Sequence, residues 1–273
     1  MSDGPLAASN ARIRTLRRLT GRRKERLEAG CFVVDGPVLV AEALASALTV
    51  REVYAGHSCD EPVLAAAAGS GVPIIRVVDG VLTRVLDPVT AQEVAALVEL
   101  PTPLTVADLA RSSGQQAPFV LVLAEIQDPG NTGTLLRTAE AVGVDLVIGT
   151  EGTADAFAPK TVRASAGAVL RLPVIEGVTL QASLAELGAL GLHRLAARVK
   201  GARPHTDVDL TVPVALVLGN EARGLPSEAD QWVDEGITIP LSGPTESLNV
   251  AAAGAVLCFE ARRQRDQRPT KGA

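Results

Sequence analysis

Hydrophobic residues in the first hundred positions fall into short runs separated by stretches with helical spacing. Uninterrupted or alternating apolar runs predict strands at 31–34, 50–55 and 73–77. Apolar residues three and four positions apart predict helices at 38–47 and 61–68. Strands that alternate with helices in this way predict a small α/β unit.

The composition changes in the middle of the chain. At 99–118 proline, serine and glutamine replace the apolar pattern, as is typical of a linker. The apolar run at 119–126 that follows is typical of a strand buried in a parallel sheet, and it begins a second α/β unit. We therefore predict a first domain at 1–105, a linker at 106–117 and a second domain at 118–273.

Length and composition agree with two domains inside a cell. A chain of 273 residues, 47% of them hydrophobic, can bury two cores. It contains no apolar run long enough to cross a membrane and no secretory signal, so we expect a soluble, cytoplasmic protein. Its three cysteines are far apart and have no metal-binding spacing, so we expect free thiols and no metal site.

Positive charge is concentrated near the N-terminus although the net charge is −5. Residues 11–28 contain eight arginines and lysines against two glutamates, which gives a local charge of +6. An apolar stripe of Ile13, Leu16, Leu19 and Leu27 would let this segment pack on a domain. The segment is either a solvated helix face or a surface for RNA phosphates. The candidates for RNA binding are Arg17, Arg18, Arg22 and Arg23.

A first group of polar residues, DPGNTGTLLRTAE at 128–140, follows the apolar run at 119–126. Asn131 is predicted to be the N-cap of a helix that ends at Gly143. Arg137 lies off the apolar face of that helix. Asn131 and Arg137 are therefore either a cap and an exposed helical residue, or side chains that reach the cleft beyond the strand ends.

Two further loops each follow an apolar run. In VLGNEARGLP at 217–226, two glycines allow close approach of backbone to a ligand, with Glu221 beside it. In IPLSGPTESLNV at 239–250, Ser247 and Asn249 precede a helix, which they can cap or from which they can hold a ligand. Any one of the three loops could be a simple turn, but three in succession predict a binding site.

The helix predicted at 251–260 is apolar on nearly every side and rich in small residues. A helix with this pattern is buried on every side. In an exterior position of a small domain it requires a partner subunit to cover it.

The three polar segments resemble the three motifs of the SpoU (TrmH-type) branch of the SPOUT RNA methyltransferases. Their order, spacing and polar residues agree over roughly 118–265. The sequence at 12–44 resembles the L30e-like substrate-binding domain that often precedes this catalytic domain, and KTVRASAGAVLRLPV at 160–174 is also typical of the branch. One departure is Ala251, where many relatives have serine.

The resemblance implies a fold and a set of binding residues. The fold is α/β, with a parallel sheet and a deep trefoil knot after a small L30e-like domain. The knot and the S-adenosylmethionine site would lie at about 217–260, in a homodimer. Cofactor binding is assigned by resemblance to Leu218, Gly219, Asn220, Gly224, Ile239, Leu241, Ser247 and Leu248.

The resemblance also implies a reaction, methylation of a ribose 2′-hydroxyl of RNA, for which we favour 23S rRNA. The residues implied in catalysis are Asn131, Arg137, Glu221, Ser247 and Asn249. Methyl transfer from a sulfonium needs positioning and loss of the hydroxyl proton, and no metal. Because a guanidinium is a poor proton acceptor, we favour stabilisation of the forming oxyanion by Arg137 over its action as a base.

Three alternatives remain open at this point. The substrate could be a tRNA instead of an rRNA. The chain could also be a non-catalytic assembly factor that binds cofactor or RNA, although it keeps all the polar residues of the motifs. A nucleotide-dependent oxidoreductase is disfavoured because a GxGxxG fingerprint is missing.

Overall fold

A computed structural model describes residues 4–59, 61–86, 93–112 and 117–267. The chain divides into two compact units. The first consists of Met1–Thr102 and Phe157–Arg171, and the second of Pro103–Ala156 and Leu172–Ala273. This division differs from the predicted one, in which the whole of 118–273 forms the second domain.

The two units are built from ten helices and eleven strands within the described residues. The helices are α1 (Ala11–Gly21), α2 (Arg23–Ala29), α3 (Pro37–Ala45), α4 (Glu61–Gly69), α5 (Val81–Val85), α6 (Val106–Ser112), α7 (Pro129–Val142), α8 (Pro159–Ala164), α9 (Leu180–Ala189) and α10 (Val250–Asp266). The strands are β1 (Cys31–Asp35), β2 (Val50–Ala55), β3 (Ile74–Arg76), β4 (Val94–Glu99), β5 (Phe119–Leu123), β6 (Leu146–Thr150), β7 (Val174–Val178), β8 (His193–Ala197), β9 (Arg203–Pro204), β10 (Val214–Leu218) and β11 (Glu235–Thr238).

The first unit contains a four-stranded sheet in the order β1-β4-β2-β3. The predicted strands at 31–34, 50–55 and 73–77 are confirmed as β1, β2 and β3. The fourth strand, β4, was not predicted, although it lies between β1 and β2 and is antiparallel to both.

Helix α1 covers this sheet with the apolar stripe that the sequence predicted, in which Ile13, Leu16 and Leu19 are buried. Leu27 was expected to extend the stripe, but its side chain is 58% exposed. Arg26 is buried instead, and its guanidinium donates a hydrogen bond of 2.6 Å to the carbonyl oxygen of Leu19. The stripe fails at Leu27 because the chain breaks at Arg22, which is extended and separates α1 from α2.

The segment Phe157–Arg171 packs within the first unit although it lies far along the chain. Arg163 Nη1 is 3.0 and 3.2 Å from the two carboxylate oxygens of Asp35, and the Asp35 side chain is only 3% exposed. The rings of Phe157 and Phe32 lie 5.0 Å apart. The buried charge of Asp35 is therefore compensated by a residue that follows it by 128 positions.

The second unit contains a seven-stranded, fully parallel sheet in the order β7-β6-β5-β10-β8-β11-β9. From β5 the chain builds outward through β6 and β7, then crosses to β8 on the other side and later returns to place β10 beside β5. In open parallel sheets, ligands bind at the carboxyl ends of strands where the order changes direction. The fold therefore favours a site near the ends of β5 and β10.

Two local predictions in the second unit are wrong. Residues 106–112, predicted as linker, form helix α6, whose Val106 and Leu109 are buried in the core. Asn131 is not an N-cap, because α7 begins two residues earlier and Asp128 accepts the capping hydrogen bond from the Asn131 amide. The predicted end at Gly143 is confirmed, since this residue adopts the left-handed conformation with φ of 76°.

The described residues also bear on membrane crossing, metal binding and the state of the cysteines. No helix there has both the length and the apolarity to cross a membrane. The same residues contain no cluster of histidine, cysteine, aspartate or glutamate that could hold a metal ion. Cys31 and Cys258 are buried, and burial raises the pKa of Cys258 to about 12, so this thiol stays protonated at neutral pH.

Candidate functional site

Three loops converge at one edge of the parallel sheet because they follow three of its strands. The loops begin after Leu123 of β5, Leu218 of β10 and Thr238 of β11. Parallel strands place their carboxyl ends at the same edge. The polar residues of all three sequence motifs are thereby brought together.

The loop after β10 is held in shape by its own side chain at position 220. Asn220 Oδ1 accepts hydrogen bonds from the amides of Ala222 and Arg223, and Nδ2 donates to the carbonyl oxygen of Glu125 at 2.8 Å. A Cβ at Gly219 would lie 2.4 Å from the carbonyl carbon of Gly224, so only glycine fits. The cofactor-binding roles predicted for Gly219, Asn220 and Gly224 therefore depend on the shape of the loop backbone.

A chain of side-chain hydrogen bonds connects the three loops. Glu221 Oε1 accepts from Asn131 Nδ2 at 3.1 Å, and Asn131 Oδ1 accepts from Asn249 Nδ2 at 3.0 Å. Asn249 Oδ1 then accepts from the first amides of α10, those of Ala251 and Ala252. Because a carboxylate can only accept and a helix amide can only donate, the orientation of both asparagine amides is fixed.

Glu221 is held as a carboxylate by its surroundings. Partial burial raises its pKa, but hydrogen bonds from the Asn131 side chain and from the amides of Glu221, Asp128 and Gln127 outweigh this effect. The net pKa lies below the ordinary value. Glu221 is thus ionised at neutral pH with its lone pairs engaged, which suits positioning better than proton transfer.

A cavity of about 310 Å³ is lined by residues from the loops after β10 and β11, the end of β8 and the start of α10. Its walls combine apolar side chains, among them Ile237 and Leu257, with the backbone of the loop at 219–224. Cavities of this size and lining are typical of small-molecule sites. All eight residues predicted to bind the cofactor line it, namely Leu218, Gly219, Asn220, Gly224, Ile239, Leu241, Ser247 and Leu248.

Comparisons with known proteins identify the family. Residues 118–259 match the SpoU rRNA Methylase family, and residues 10–96 match the MRM3-like substrate binding domain. The chain belongs to the SpoU family. Its predicted α/β class and two-part composition are therefore confirmed, and the N-terminal part is a substrate-binding domain of the MRM3-like type.

Individual SpoU proteins resemble this chain over nearly its whole length. The chain is 31% identical over 256 residues to the 23S rRNA (guanosine(2553)-2'-O)-methyltransferase RlmP of Bacillus subtilis, a match covering 94% of this chain and 98% of RlmP. It is 39% identical to the 23S rRNA (guanosine-2'-O-)-methyltransferase RlmB of Xylella fastidiosa, over 73% and 81% of the two chains. The crystal structure of the SpoU methyltransferase AviRb from Streptomyces viridochromogenes, in complex with AdoMet, matches with a TM-score of 0.86 at 27% identity, over 94% and 99%.

The structure brings together four of the five side chains that sequence analysis assigned to catalysis. Asn131, Glu221 and Asn249 form the hydrogen-bonded chain, and Ser247 lines the cavity. Arg137 does not line it. Its side chain is exposed on α7, and no hydrogen bond or ion pair joins it to another of the described residues.

Part of the site of this SpoU protein was not predicted from its sequence. Ala197, Arg198 and Val199 line the cavity from the end of β8, a strand that was not predicted. Glu125 was missed as well, although its carboxylate lies 2.8 Å from Arg223 Nη2. The only sequence signal for Ala197, Arg198 and Val199 was the short apolar run before them. That run is too brief to distinguish a strand from a buried helix.

Proposed function

We propose that this protein transfers a methyl group from S-adenosylmethionine to a ribose 2′-hydroxyl of 23S rRNA. The observation that carries the proposal is the hydrogen-bonded chain of Glu221, Asn131 and Asn249 beside a cavity of ligand size. The names of RlmP and RlmB, both rRNA 2′-O-methyltransferases, support the reaction and the RNA class. Activity on ribosomal RNA would take place in the cytoplasm.

The residues around the cavity fit the proposed cofactor. Leu218, Ile239 and Leu248 offer apolar contact for an adenine ring, while the backbone of the 219–224 loop offers hydrogen-bonding groups at close approach. A structural relative, AviRb, is described in complex with AdoMet. When bound, S-adenosylmethionine supplies a methyl group activated by its sulfonium. No metal is needed for such a transfer.

The protein's own residues would position the ribose and stabilise charge. Asn131 and Asn249 have fixed amide groups in the hydrogen-bonded chain that reaches the cavity at Glu221, and Glu221 holds Asn131 in its orientation. Fixed groups of this kind raise rates by holding reactants in line. The guanidinium of Arg137 would stabilise the oxyanion that forms as the 2′-hydroxyl loses its proton.

We further propose that two copies of the chain form the active enzyme. Helix α10 exposes an apolar face formed by Ala252, Val256 and Phe259, and the Phe259 side chain is 54% exposed. Apolar faces of this kind mark subunit contacts. Because Arg137 does not line the cavity of its own chain, a second copy would also explain how this residue reaches a reaction site.

The deep trefoil knot at about 217–260 also stays a proposal, and the return of β10 into the middle of the sheet agrees with it.

The experiment is transfer of labelled methyl groups to separate ribosomal and transfer RNA fractions. Methylation of a 2′-hydroxyl makes the adjacent linkage resistant to alkali, so label in alkali-resistant dinucleotides of 23S rRNA is the expected result. Loss of that label in Arg137→Ala, with normal cofactor binding by calorimetry, would support the role of Arg137. Label confined to tRNA would contradict the substrate class, and cofactor binding without label on any fraction, including immature ribosomal particles, would favour a binding protein.

A further inference from the structure

A second cavity, of about 340 Å³, adjoins the 219–224 loop. It is formed at the carboxyl ends of three adjacent strands by residues that follow or end β5, β6 and β7, and it is closed by the loop after β10. Gly224 lines both cavities. Its lining includes Glu125, Thr150, Gly224, Glu228 and Trp232.

Glu125 has a backbone conformation that its side chain disfavours. Its φ is 56°, in the left-handed region that costs about 1 kcal/mol or more for residues other than glycine. Both of its backbone groups are fixed: the amide donates to Thr150 Oγ1 at 3.1 Å, and the carbonyl oxygen accepts from Asn220 Nδ2 at 2.8 Å. The surrounding structure thus fixes the backbone from which the Glu125 side chain starts at the cavity.

The carboxylate of Glu125 is only partly engaged. Oε2 bonds Arg223 Nη2 at 2.8 Å, whereas Oε1 has no hydrogen bond to another of the described residues. Arg223 lines the cofactor cavity, so this one ion pair extends from one cavity to the other. A group bound at Glu125 would therefore lie next to the place proposed for methyl transfer.

The chemistry of the second cavity selects its ligand. Glu125 and Glu228 disfavour a phosphate, whereas a carboxylate accepts N–H donors and an indole such as that of Trp232 offers an apolar surface for a flat ring. Among the four RNA bases, only guanine has two adjacent N–H donors on its Watson–Crick edge. A pair of parallel hydrogen bonds to one carboxylate therefore fits guanine and none of the other three.

We propose that the second cavity binds the guanine base of the target nucleotide, with Glu125 as the residue that selects it and Trp232 as the wall of the site. This inference rests on the proposed function, because it names the base whose ribose the enzyme would methylate. Glu125 would then determine which base is bound, and this role is separate from its ion pair with Arg223.

The chain offers its own probe, because Trp232 is its only tryptophan. Tryptophan emission of the full-length protein would be titrated with GMP, with IMP, which lacks the exocyclic amino group, and with AMP. We expect GMP to bind at least about tenfold more tightly than IMP, the usual effect of losing one hydrogen bond to a charged group, and AMP to bind more weakly still. Equal affinities for the three nucleotides, or no change in emission with GMP, would overturn the proposal.

Two variants that each lose one negative charge distinguish recognition of the base by Glu125 from a structural effect. Glu125→Gln keeps the size of the side chain and its backbone demands, and we expect it to reduce the GMP-to-IMP preference to near one. Glu228→Gln removes a carboxylate from the same cavity and should keep the preference. A merely structural role of Glu125 would weaken all nucleotides alike, and this result, or loss of the preference in Glu228→Gln instead, would refute the assignment.

Methyl transfer distinguishes failure of this inference from failure of the proposed function. We expect Glu125→Gln to lower kcat/KM for RNA about tenfold or more while the Kd for S-adenosylmethionine stays within about twofold. Unchanged kcat/KM in Glu125→Gln would refute the guanine site and leave the methyltransferase intact. Absence of transfer by the wild-type protein would refute the function itself.

Discussion

Asn249 uses both ends of its side-chain amide. The oxygen accepts from the amides of Ala251 and Ala252 and so caps α10, while the nitrogen donates to Asn131 at 3.0 Å. The sequence offered capping and ligand contact as alternatives for this residue, and the cap is confirmed. That Asn131 is its partner could not be predicted, because the two residues are 118 positions apart and meet only through the sheet.

Replacing Asn249 by aspartate should separate stability from activity. The aspartate would still cap α10, and its charge would favour the helix N-terminus, so we expect the free energy of unfolding to be unchanged or slightly higher. It cannot donate to Asn131, and a flipped Asn131 would turn its oxygen toward Glu221. We expect methyl transfer to fall about tenfold or more. Urea unfolding of the same variant would measure its stability. Wild-type transfer by Asn249→Asp would show that the hydrogen bond to Asn131 is dispensable.

Glu221 provides a prediction about pH. Because folding lowers its pKa, its contribution to stability is complete at neutral pH and is lost as the pH falls from the ordinary value of 4.5 through the lower pKa of the folded protein. Glu221→Gln should therefore be less stable than wild type at neutral pH, and the difference should shrink in acid. Urea unfolding across this range would measure it. Glu228→Gln controls for loss of one carboxylate, and a difference that grows in acid would contradict the sign.

At the scale of elements, the hydrophobic pattern along the chain predicted helices and strands correctly where it was unambiguous. Strand β2 and the end of α7 lie where the sequence predicted them. Strand β4 was missed because its run of Val94, Ala95 and Ala96 contains residues of low strand propensity. Its central position in the sheet, buried from 94 to 98, shows that neighbouring strands and not propensity determine its structure. In the described residues, sequence reasoning thus failed where contacts between distant segments decide.

The packing of α10 against α7 depends on Gly254. A Cβ there would lie 2.3 Å from Leu135 Cδ2 and 2.8 Å from Leu218 Cδ1, and both leucines are fully buried. We expect Gly254→Ala to lower the free energy of unfolding by about 1–2 kcal/mol despite the better helix propensity of alanine. Because Leu218 lines the cofactor cavity, cofactor affinity measured by calorimetry should also fall.

Gly69 in α4 is the matched control for this substitution. No atom lies within 4 Å of a Cβ built on Gly69, so Gly69→Ala should keep or slightly raise stability. Cofactor affinity should stay unchanged in this variant. Equal behaviour of the two alanine variants would contradict the close packing inferred at Gly254.

At the scale of the whole molecule, the proposed dimer can be tested by mixing two inactive variants. Arg137→Ala lacks the proposed stabilising charge, and Gly219→Val has a blocked cofactor loop. If each reaction site takes Arg137 from the second copy, mixed dimers contain one complete site, and equal mixing should restore about a quarter of wild-type activity. No recovery, with exchange of subunits verified by mass spectrometry, would show that Arg137 acts within its own chain.

The basic residues of the first unit give the second whole-molecule prediction. Arg17, Arg18 and Arg22 are exposed, whereas Arg23 is half-buried. Neutralising all four predicted RNA-binding arginines should weaken RNA binding and flatten its dependence on salt, by about 0.7 in the log–log slope for each phosphate that the protein no longer neutralises. Fluorescence anisotropy at several salt concentrations would measure this. Arg262, which is exposed on α10 and pairs with Asp266, provides a control, and an unchanged slope in the fourfold variant would contradict the role.

The placement of Phe157–Arg171 in the first unit determines how this enzyme can be recombined with its relatives. The chain passes between the two units three times, after Thr102, Ala156 and Arg171, so the first unit is encoded by two separate stretches of the gene. A chimera that exchanges only the N-terminal stretch would pair a foreign strand with the native Arg163 and could leave a buried charge such as Asp35 uncompensated. Exchanging the first unit for that of a relative therefore requires both stretches to be transplanted together.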